Sequence, residues 1–278
     1  MSLVRIGVFD SGVGGLTVLK ALAEQLPAHY LYFGDTARLP YGTKSAGTVA
    51  RYAICAARFL EAQNIDLLVI ACNTATALAL PQIRDAAHVP VIGVVEPGAA
   101  MAAEVSRNRA AVVIATEATV SSHAYRDALE RQGLQVVEKA CPLFVPLVEE
   151  GWTDHPVTEE VAKIYLGEAM AQAPDGADVL VLACTHYPLI APLLRRLIAE
   201  RMQIVDSAES TARAVKKMVE ANLPLSAEIG EKSPGAAPVV EHRTFRFYVT
   251  DSVEKFKRLA NRFLGRQVDN VQHVDLGG

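Results

Sequence analysis

Short apolar runs alternate with longer amphipathic segments along almost the whole chain. The runs are mostly four to six residues long, carry Val, Ile and Leu on consecutive positions, and predict strands that are covered on both faces. They lie at Val4–Phe9, Tyr30–Phe33, Leu67–Ala71, Pro90–Val94, Ala111–Ala115, Val136–Lys139, Val179–Ala183, Gln203–Val205 and Phe245–Thr250. Helical periodicity runs over Leu16–Gln25, Thr48–Ala62, Thr119–Gln132, Thr158–Ala171, Leu189–Glu200 and Ala208–Glu220. This alternation predicts an α/β protein with mostly parallel sheets flanked by helices.

One strand pattern occurs twice. Asp66–Cys72 (DLLVIAC) and Asp178–Cys184 (DVLVLAC) match at five of seven positions, and each is followed by a polar pair and a predicted helix. Buried parallel strands resemble one another in composition, and the likeness fades beyond the cysteine. The shared Ala-Cys ending nevertheless favours an internal duplication. A duplication predicts two similar lobes that face a common cleft.

The composition is that of a folded protein. The chain has 278 residues, of which 51% are apolar and 21% charged, with a net charge of −4. These values exclude disordered and collagen-like chains, and a pI near 6.0 predicts neither nucleic acid nor a membrane as partner. The first residues lack a signal-peptide pattern and the four cysteines lack C-x-x-C spacing, which predicts a cytoplasmic location. The Pro-rich segment Leu223–His242 is predicted to be a surface loop.

Candidate chemistry lies where the predicted strands end, because ligands of open parallel sheets bind at the carboxyl edges. The ends of the first, second, third, fifth and seventh predicted strands carry neither a metal-ligand cluster nor a lysine, so a Schiff-base mechanism lacks a nucleophile there. The Asp10–Gly15 loop lacks the spacing of nucleotide-binding motifs, and it fits an anion loop and a tight strand-to-helix turn equally well. The candidate residues at and just after these strand ends are Asp10, Ser11, Asp35, Tyr41, Gly42, Cys72, Asn73, Thr74, Thr116, Thr119, Cys184, Thr185 and His186.

Two of these residues are cysteines in duplicated settings. A helix start lowers the pKa of a thiol beside it, which favours a reactive cysteine. A single cysteine is, however, more often a small buried apolar residue, and we predict that role for Cys55 and Cys141. Two thiols on opposite lobes indicate that one removes a proton from a carbon and the other delivers a proton to the opposite face. Such a two-base reaction inverts configuration and needs no metal or pyridoxal phosphate. His186 could relay a proton to Cys184, and either Glu149 or Glu150 could face the site.

Together these residues resemble the cofactor-independent glutamate racemases. The matching stretches are Ile6–Leu16, Tyr32–Arg38, Pro40–Gly42, Ala71–Ala75, Gly93–Gly98, Pro142–Glu149 and Ala183–Pro188. The resemblance implies that Cys72 acts on D-glutamate with help from Asp10, and that Cys184 acts on L-glutamate with help from His186 and Glu149. It also implies that the product supplies bacterial peptidoglycan, and that the substrate site comprises Asp10, Ser11, Tyr41, Gly42, Asn73, Thr74, Thr116, Thr119, Thr185 and His186.

The resemblance further implies the organisation of the protein. It predicts a discontinuous first lobe, 1–96 plus 208–278, a second lobe over 97–207, a homodimer and no cofactor. One alternative is a racemase of aspartate or another acidic amino acid, although aspartate racemases usually carry an acidic residue where His186 stands. A second is a non-catalytic two-lobed binding protein. A phosphate-handling enzyme is disfavoured by the missing lysine and metal ligands at the strand ends.

Overall fold

Ten strands form two parallel sheets within residues 3–222 and 244–276, which the computed structural model describes. The predicted loop 223–242 lies outside the described residues. Each of the nine predicted strands is present to within one residue at either end. The strands are β1 (Arg5–Asp10), β2 (His29–Gly34), β3 (Leu67–Ile70), β4 (Val91–Gly93), β5 (Ala110–Ala115), β6 (Gln135–Ala140), β7 (Val179–Ala183), β8 (Gln203–Asp206), β9 (Phe245–Val249) and β10 (Val271–His273).

Helices flank both sheets. Two 3₁₀ turns, Tyr41–Thr43 and Tyr187–Ile190, lie beside the carboxyl edges of the strands. The α-helices of the described residues are α1 (Leu16–Gln25), α2 (Ala46–Glu61), α3 (Asn73–Ala86), α4 (Val95–Val105), α5 (Glu117–Ser121), α6 (Ala124–Arg131), α7 (Phe144–Glu149), α8 (Pro156–Gln172), α9 (Ala191–Leu197), α10 (Ser207–Asn222) and α11 (Val253–Leu264).

The two sheets share one strand order. The first sheet runs β10-β9-β2-β1-β3-β4 and the second runs β6-β5-β7-β8, so the order β2-β1-β3-β4 of the first is repeated in the second. Strands β3 and β7, which carry the repeated sequence pattern, hold corresponding places. The prediction of an α/β fold with two similar lobes is therefore confirmed.

The apolar core joins the lobes. Its largest cluster takes buried side chains from both sheets, among them Val8, Tyr32, Ile114 and Leu182. Helices α2 and α3 cover the outer face of the first sheet, and α4 and α6 cover that of the second. Because both carboxyl edges are fixed to this common core, the strand ends of the two lobes meet at one place.

Three local predictions are wrong. The helix predicted over Thr119–Gln132 is divided into α5 and α6, because His123 adopts a left-handed conformation with φ 56°. The helix predicted over Leu189–Glu200 is a 3₁₀ turn followed by α9. Cys55 is exposed on α2 instead of buried, since it lies on the solvent-facing side of that helix.

Candidate active site

A cavity of about 380 Å³ lies between the carboxyl edges of the two sheets. The first lobe lines it with the ends of β1 and β3 and the second with the ends of β5 and β7. The predicted residues Asp10 and Thr119 lie outside its lining. Those that line it are Ser11, Tyr41, Gly42, Cys72, Asn73, Thr74, Thr116, Glu149, Cys184, Thr185 and His186.

Cys72 is the N-cap residue of α3, one residue after an alanine that follows β3. Its Sγ accepts a hydrogen bond from the backbone N–H of Ala75 at 3.4 Å, and its thiol donates to Ser11 Oγ at 3.4 Å. Burial and the nearby Asp10 carboxylate outweigh these contacts and raise the pKa of Cys72 to about 12. The prediction that the helix start lowers this pKa is therefore wrong, and Cys72 is a thiol at neutral pH.

Asp10 is buried at the end of β1, close enough to Cys72 and His186 to act on both electrostatically. Its Oδ2 accepts the backbone N–H of Gly12 at 2.8 Å, whereas Oδ1 has no hydrogen-bond partner among the described residues. Burial raises the pKa of this carboxyl, although the charge of His186 opposes that change.

Cys184, His186 and Glu149 form a chain of polar contacts on the second lobe. The His186 Nδ1 atom lies 4.0 Å from Cys184 Sγ, and Nε2 lies 3.1 Å from Glu149 Oε1. Burial opposes the charged imidazole, but the contacts with Cys184 and Glu149 prevail and raise the pKa of His186 to about 10. The imidazole is therefore charged at neutral pH, and this positive charge lies beside the sulfur atom of Cys184. Glu150 is exposed, so Glu149 is the glutamate that faces the site.

Removing the carboxylate from this chain should lower the pKa of His186. In Glu149→Gln, we expect the value to fall by at least about one unit, because an opposite charge is lost beside a buried imidazole. NMR titration of histidine ring nuclei measures it, with His186→Gln assigning the signal. Glu150→Gln is the matched control and should leave the titration unchanged. An unaltered His186 titration in Glu149→Gln would contradict the contact.

Three threonine hydroxyls meet across the lobes. Thr74 Oγ1, from α3, lies 3.0 Å from Thr116 Oγ1 and 3.3 Å from Thr119 Oγ1, and the last two are 2.9 Å apart. Thr119 is fully buried, and its hydroxyl positions those of Thr74 and Thr116 through these contacts. Hydroxyls rotate freely between donor and acceptor roles, so Thr74 and Thr116 can turn donors toward a bound carboxylate.

Asn73 is held by two residues that the sequence analysis missed. Its Oδ1 accepts the Tyr125 hydroxyl at 2.6 Å, and its Nδ2 donates to Ser207 Oγ at 3.2 Å. These contacts fix the orientation of the amide where it borders the cavity. Ser207 directly follows the carboxyl end of β8, so the strand-end rule would have found it. Tyr125 lies inside a helix and gives no such signal.

Tyr41 is fixed from outside the cavity. Its hydroxyl donates to Asp35 Oδ2 at 2.6 Å, and Thr250 donates to Asp35 Oδ1 at 2.8 Å. Asp35 does not line the cavity. Its carboxylate instead positions Tyr41, whose ring closes one side of the ligand space.

The Asp10–Gly15 loop packs against the second lobe. A Cβ atom on Gly14 would lie 2.2 Å from Thr185 Oγ1 and 2.5 Å from His186 Nδ1. The hydroxyl of Thr17, on α1, donates to the backbone carbonyl of Thr185 at 3.0 Å. Glycine is therefore required at position 14 because the lobes approach closely there, and the turn interpretation explains more of this loop than an anion site does.

The described ranges are residues 3–222 and 244–276. They contain no group of three His, Cys, Asp or Glu side chains that could hold a metal ion. Within the same ranges, no helix is long and apolar enough to cross a membrane.

Fold and site together define a class: two-lobed α/β proteins in which each lobe contributes one thiol and several hydroxyl donors to a shared cleft. Residues 6–215 match the family model described as Asp/Glu/Hydantoin racemase. The chain belongs to this racemase family.

Individual relatives match over nearly the whole chain. The glutamate racemase of Koribacter versatilis (strain Ellin345) is 60% identical over 284 residues, covering 98% of each chain. The structure of glutamate racemase from Thermus thermophilus in complex with β-chloro-D-alanine has a TM-score of 0.83 and 43% identity, covering 98% of this chain and 97% of that one. Glutamate racemase from Francisella tularensis in complex with D-glutamate has a TM-score of 0.87 and 33% identity, covering 99% of both.

Proposed function

We propose that this protein is a glutamate racemase, an isomerase that interconverts L- and D-glutamate with two thiols and supplies D-glutamate for peptidoglycan. The observation that carries the proposal is the pair Cys72 and Cys184, which end corresponding strands of the two lobes and border one cavity. The relatives named above are glutamate racemases, one of them bound to D-glutamate. The activity of these relatives agrees with the thiols and hydroxyl donors that line the cavity, and this supports glutamate as the substrate.

The reaction moves two protons. A thiolate on one lobe takes the α-proton of glutamate, and the electron pair of the broken C–H bond stays on the α-carbon, delocalised into the α-carboxylate. The thiol on the other lobe then protonates the opposite face of that carbon. The product has inverted configuration, and the two sulfur atoms have exchanged protonation states.

On the second lobe, a charged side chain activates Cys184. The His186 imidazolium lies beside Sγ and is itself held by the Glu149 carboxylate, whose own pKa is lowered. Burial would raise that pKa, but the hydrogen bond and charge of His186, together with the charge of Lys255, outweigh burial. This arrangement stabilises the Cys184 thiolate that removes the α-proton of L-glutamate.

On the first lobe, binding of the substrate itself activates Cys72. Asp10 does not line the cavity, but its buried carboxylate acts electrostatically on Cys72, and the positive charge of a substrate ammonium group bound in the cavity offsets that negative charge. Neutralising Asp10 removes one of the two main causes that raise the pKa of Cys72. Proton removal from D-glutamate by Cys72 is therefore coupled to correct binding of the amino group.

Neutral donors hold the two carboxylates of glutamate. Among the described residues, neither lysine nor arginine lines the cavity. The donors are the hydroxyls of Ser11, Thr74, Thr116 and Thr185 and the backbone N–H groups at the start of α3, where the helix dipole favours an anion. Donors aimed at the α-carboxylate also stabilise the negative charge that develops there during proton transfer.

The organisation expected from the family forms part of the proposal. The lobes comprise 1–96 plus 208–278 and 97–207, and this division is supported by the grouping of β1–β4, β9 and β10 in one sheet and β5–β8 in the other. The protein acts on a small molecule in the cytoplasm, as a homodimer, and does not bind nucleic acid.

Parallel assays on glutamate and aspartate test the substrate. Aspartate is shorter by one methylene group, so its side-chain carboxylate cannot reach the same donors while its α-carbon lies between the thiols. We expect kcat/KM for glutamate to exceed that for aspartate about a hundredfold. Circular dichroism at fixed enzyme concentration measures both. Equal or faster turnover of aspartate would overturn the assignment, and turnover of neither, with thermal stabilisation by D-glutamate, would favour a binding protein.

A further inference from the structure

Helix α11 connects the first sheet to the polar chain of the second lobe. Phe256, near its start, packs against Tyr32 of β2 and Phe247 of β9, with ring centroids 5.9 and 6.0 Å apart. Phe263 lies seven residues further along, two helical turns or roughly 10 Å away on the same face. There its ring contacts His186 edge-on, at 5.3 Å between centroids and an interplanar angle of 87°.

A second contact from α11 reaches the other end of the polar chain. The Arg262 guanidinium donates to the backbone carbonyl of Glu149, the last residue of α7. It rests against Gly151, whose φ of +83° and missing side chain leave room for it, since a Cβ there would lie 2.9 Å from Arg262 Cζ. The Lys255 side chain, seven residues before Arg262 on α11, borders the same small cavity as the Glu149 side chain.

We propose that α11 positions the His186–Glu149 pair, with Phe263 fixing the imidazole ring and Arg262 fixing the end of α7 that carries Glu149. Neither side chain lines the ligand cavity, so both act through the residues that do. This inference rests on the proposed racemase function. It implies that the Cys184 side of the site is aligned by a helix packed on the first sheet, and hence by the relative position of the lobes.

The effect must fall on one of the two proton transfers. If Phe263 aligns His186, its loss raises the barrier for transfer at Cys184 and leaves transfer at Cys72 unchanged. Removal of the α-proton of L-glutamate by Cys184 then limits the rate, and the primary isotope effect on kcat/KM for L-glutamate rises. For D-glutamate, Cys72 removes the α-proton before the limiting step, which is protonation by Cys184, and the primary isotope effect on kcat/KM for D-glutamate falls. A general loss of packing would change both enantiomers alike.

Isotope effects with α-deuterated L- and D-glutamate test the proposal. We expect Phe263→Leu to lower kcat about tenfold, a size typical of a displaced catalytic group, with the isotope effect rising for L-glutamate and falling for D-glutamate. Phe256→Leu is the matched control, since it removes a buried ring from the same face of α11 without touching His186. It should keep the parental ratio of isotope effects.

Arg262→Met provides a test that does not depend on the core. Arg262 is exposed, so this variant should fold, and we expect the same asymmetry with a smaller loss of kcat; Arg258→Met, one turn earlier and also exposed, is its control. Parental isotope-effect ratios in both Phe263→Leu and Arg262→Met would overturn the positioning role while leaving racemisation intact. Absence of racemisation in the parent protein would instead remove the proposed function, and this inference with it.

Discussion

Replacing Cys72 or Cys184 with serine is expected to reduce glutamate racemisation at least about a thousandfold while leaving glutamate binding intact. A serine hydroxyl is a far weaker acid than a thiol, so it cannot serve as the base that starts either direction. Since each direction uses both sulfur atoms, one substitution removes both directions. Circular dichroism measures the rate, and thermal stabilisation by D-glutamate measures binding.

The remaining cysteines offer the control for that experiment. Cys55 is an exposed residue of α2, away from the cavity, and Cys55→Ser should retain the parental rate. Substantial turnover by Cys72→Ser or Cys184→Ser would contradict the two-thiol reaction. Loss of D-glutamate stabilisation in either variant would show that the thiol contributes to binding instead of proton transfer.

Substituting alanine for Gly14 should damage both stability and activity. The added methyl group would lie 2.2 Å from Thr185 Oγ1 and 2.5 Å from His186 Nδ1, so the loop or the Cys184–His186 turn must move. We expect the free energy of unfolding to fall by about 1–3 kcal/mol, as for other overpacked sites. Displacing His186 should lower kcat at least about a hundredfold. Chemical denaturation and the racemisation assay measure the two effects.

Gly167→Ala is the matched control. Gly167 is an exposed residue of α8, and a Cβ atom there would meet no other atom within 4 Å. Alanine at this position should therefore stabilise the helix by up to about 1 kcal/mol and leave activity unchanged. A Gly14→Ala protein with parental activity would contradict the close approach of the two lobes at this loop.

The strands and the two similar lobes were predictable because two simple signals agree. Consecutive apolar residues mark strands buried on both faces, and the repeated pattern ending in Cys72 and Cys184 indicates two similar lobes. Parallel strands place their carboxyl ends at one edge, so reading the residues after each strand gathers most of the cavity lining. The same rule, applied to β8, would have added Ser207.

The remaining features depend on tertiary contacts that the local sequence does not encode. The pKa of Cys72 follows from burial beside Asp10, which outweighs the helix start that the sequence makes visible. His123 divides a continuous helical pattern by adopting a left-handed conformation, which periodicity does not register. Phe263 is an ordinary apolar position of an amphipathic helix until the fold brings it to His186.

The most direct test of the account is proton NMR of L-glutamate with pyridoxal-free protein in deuterated water, with the enantiomers separated at early times. Two thiols on opposite faces predict that newly formed D-glutamate carries deuterium at the α-carbon while the remaining L-glutamate stays protiated. The optical rotation should decay to zero over the same reaction. Early deuterium in L-glutamate without inversion, or no exchange in either enantiomer, would contradict a two-thiol racemase.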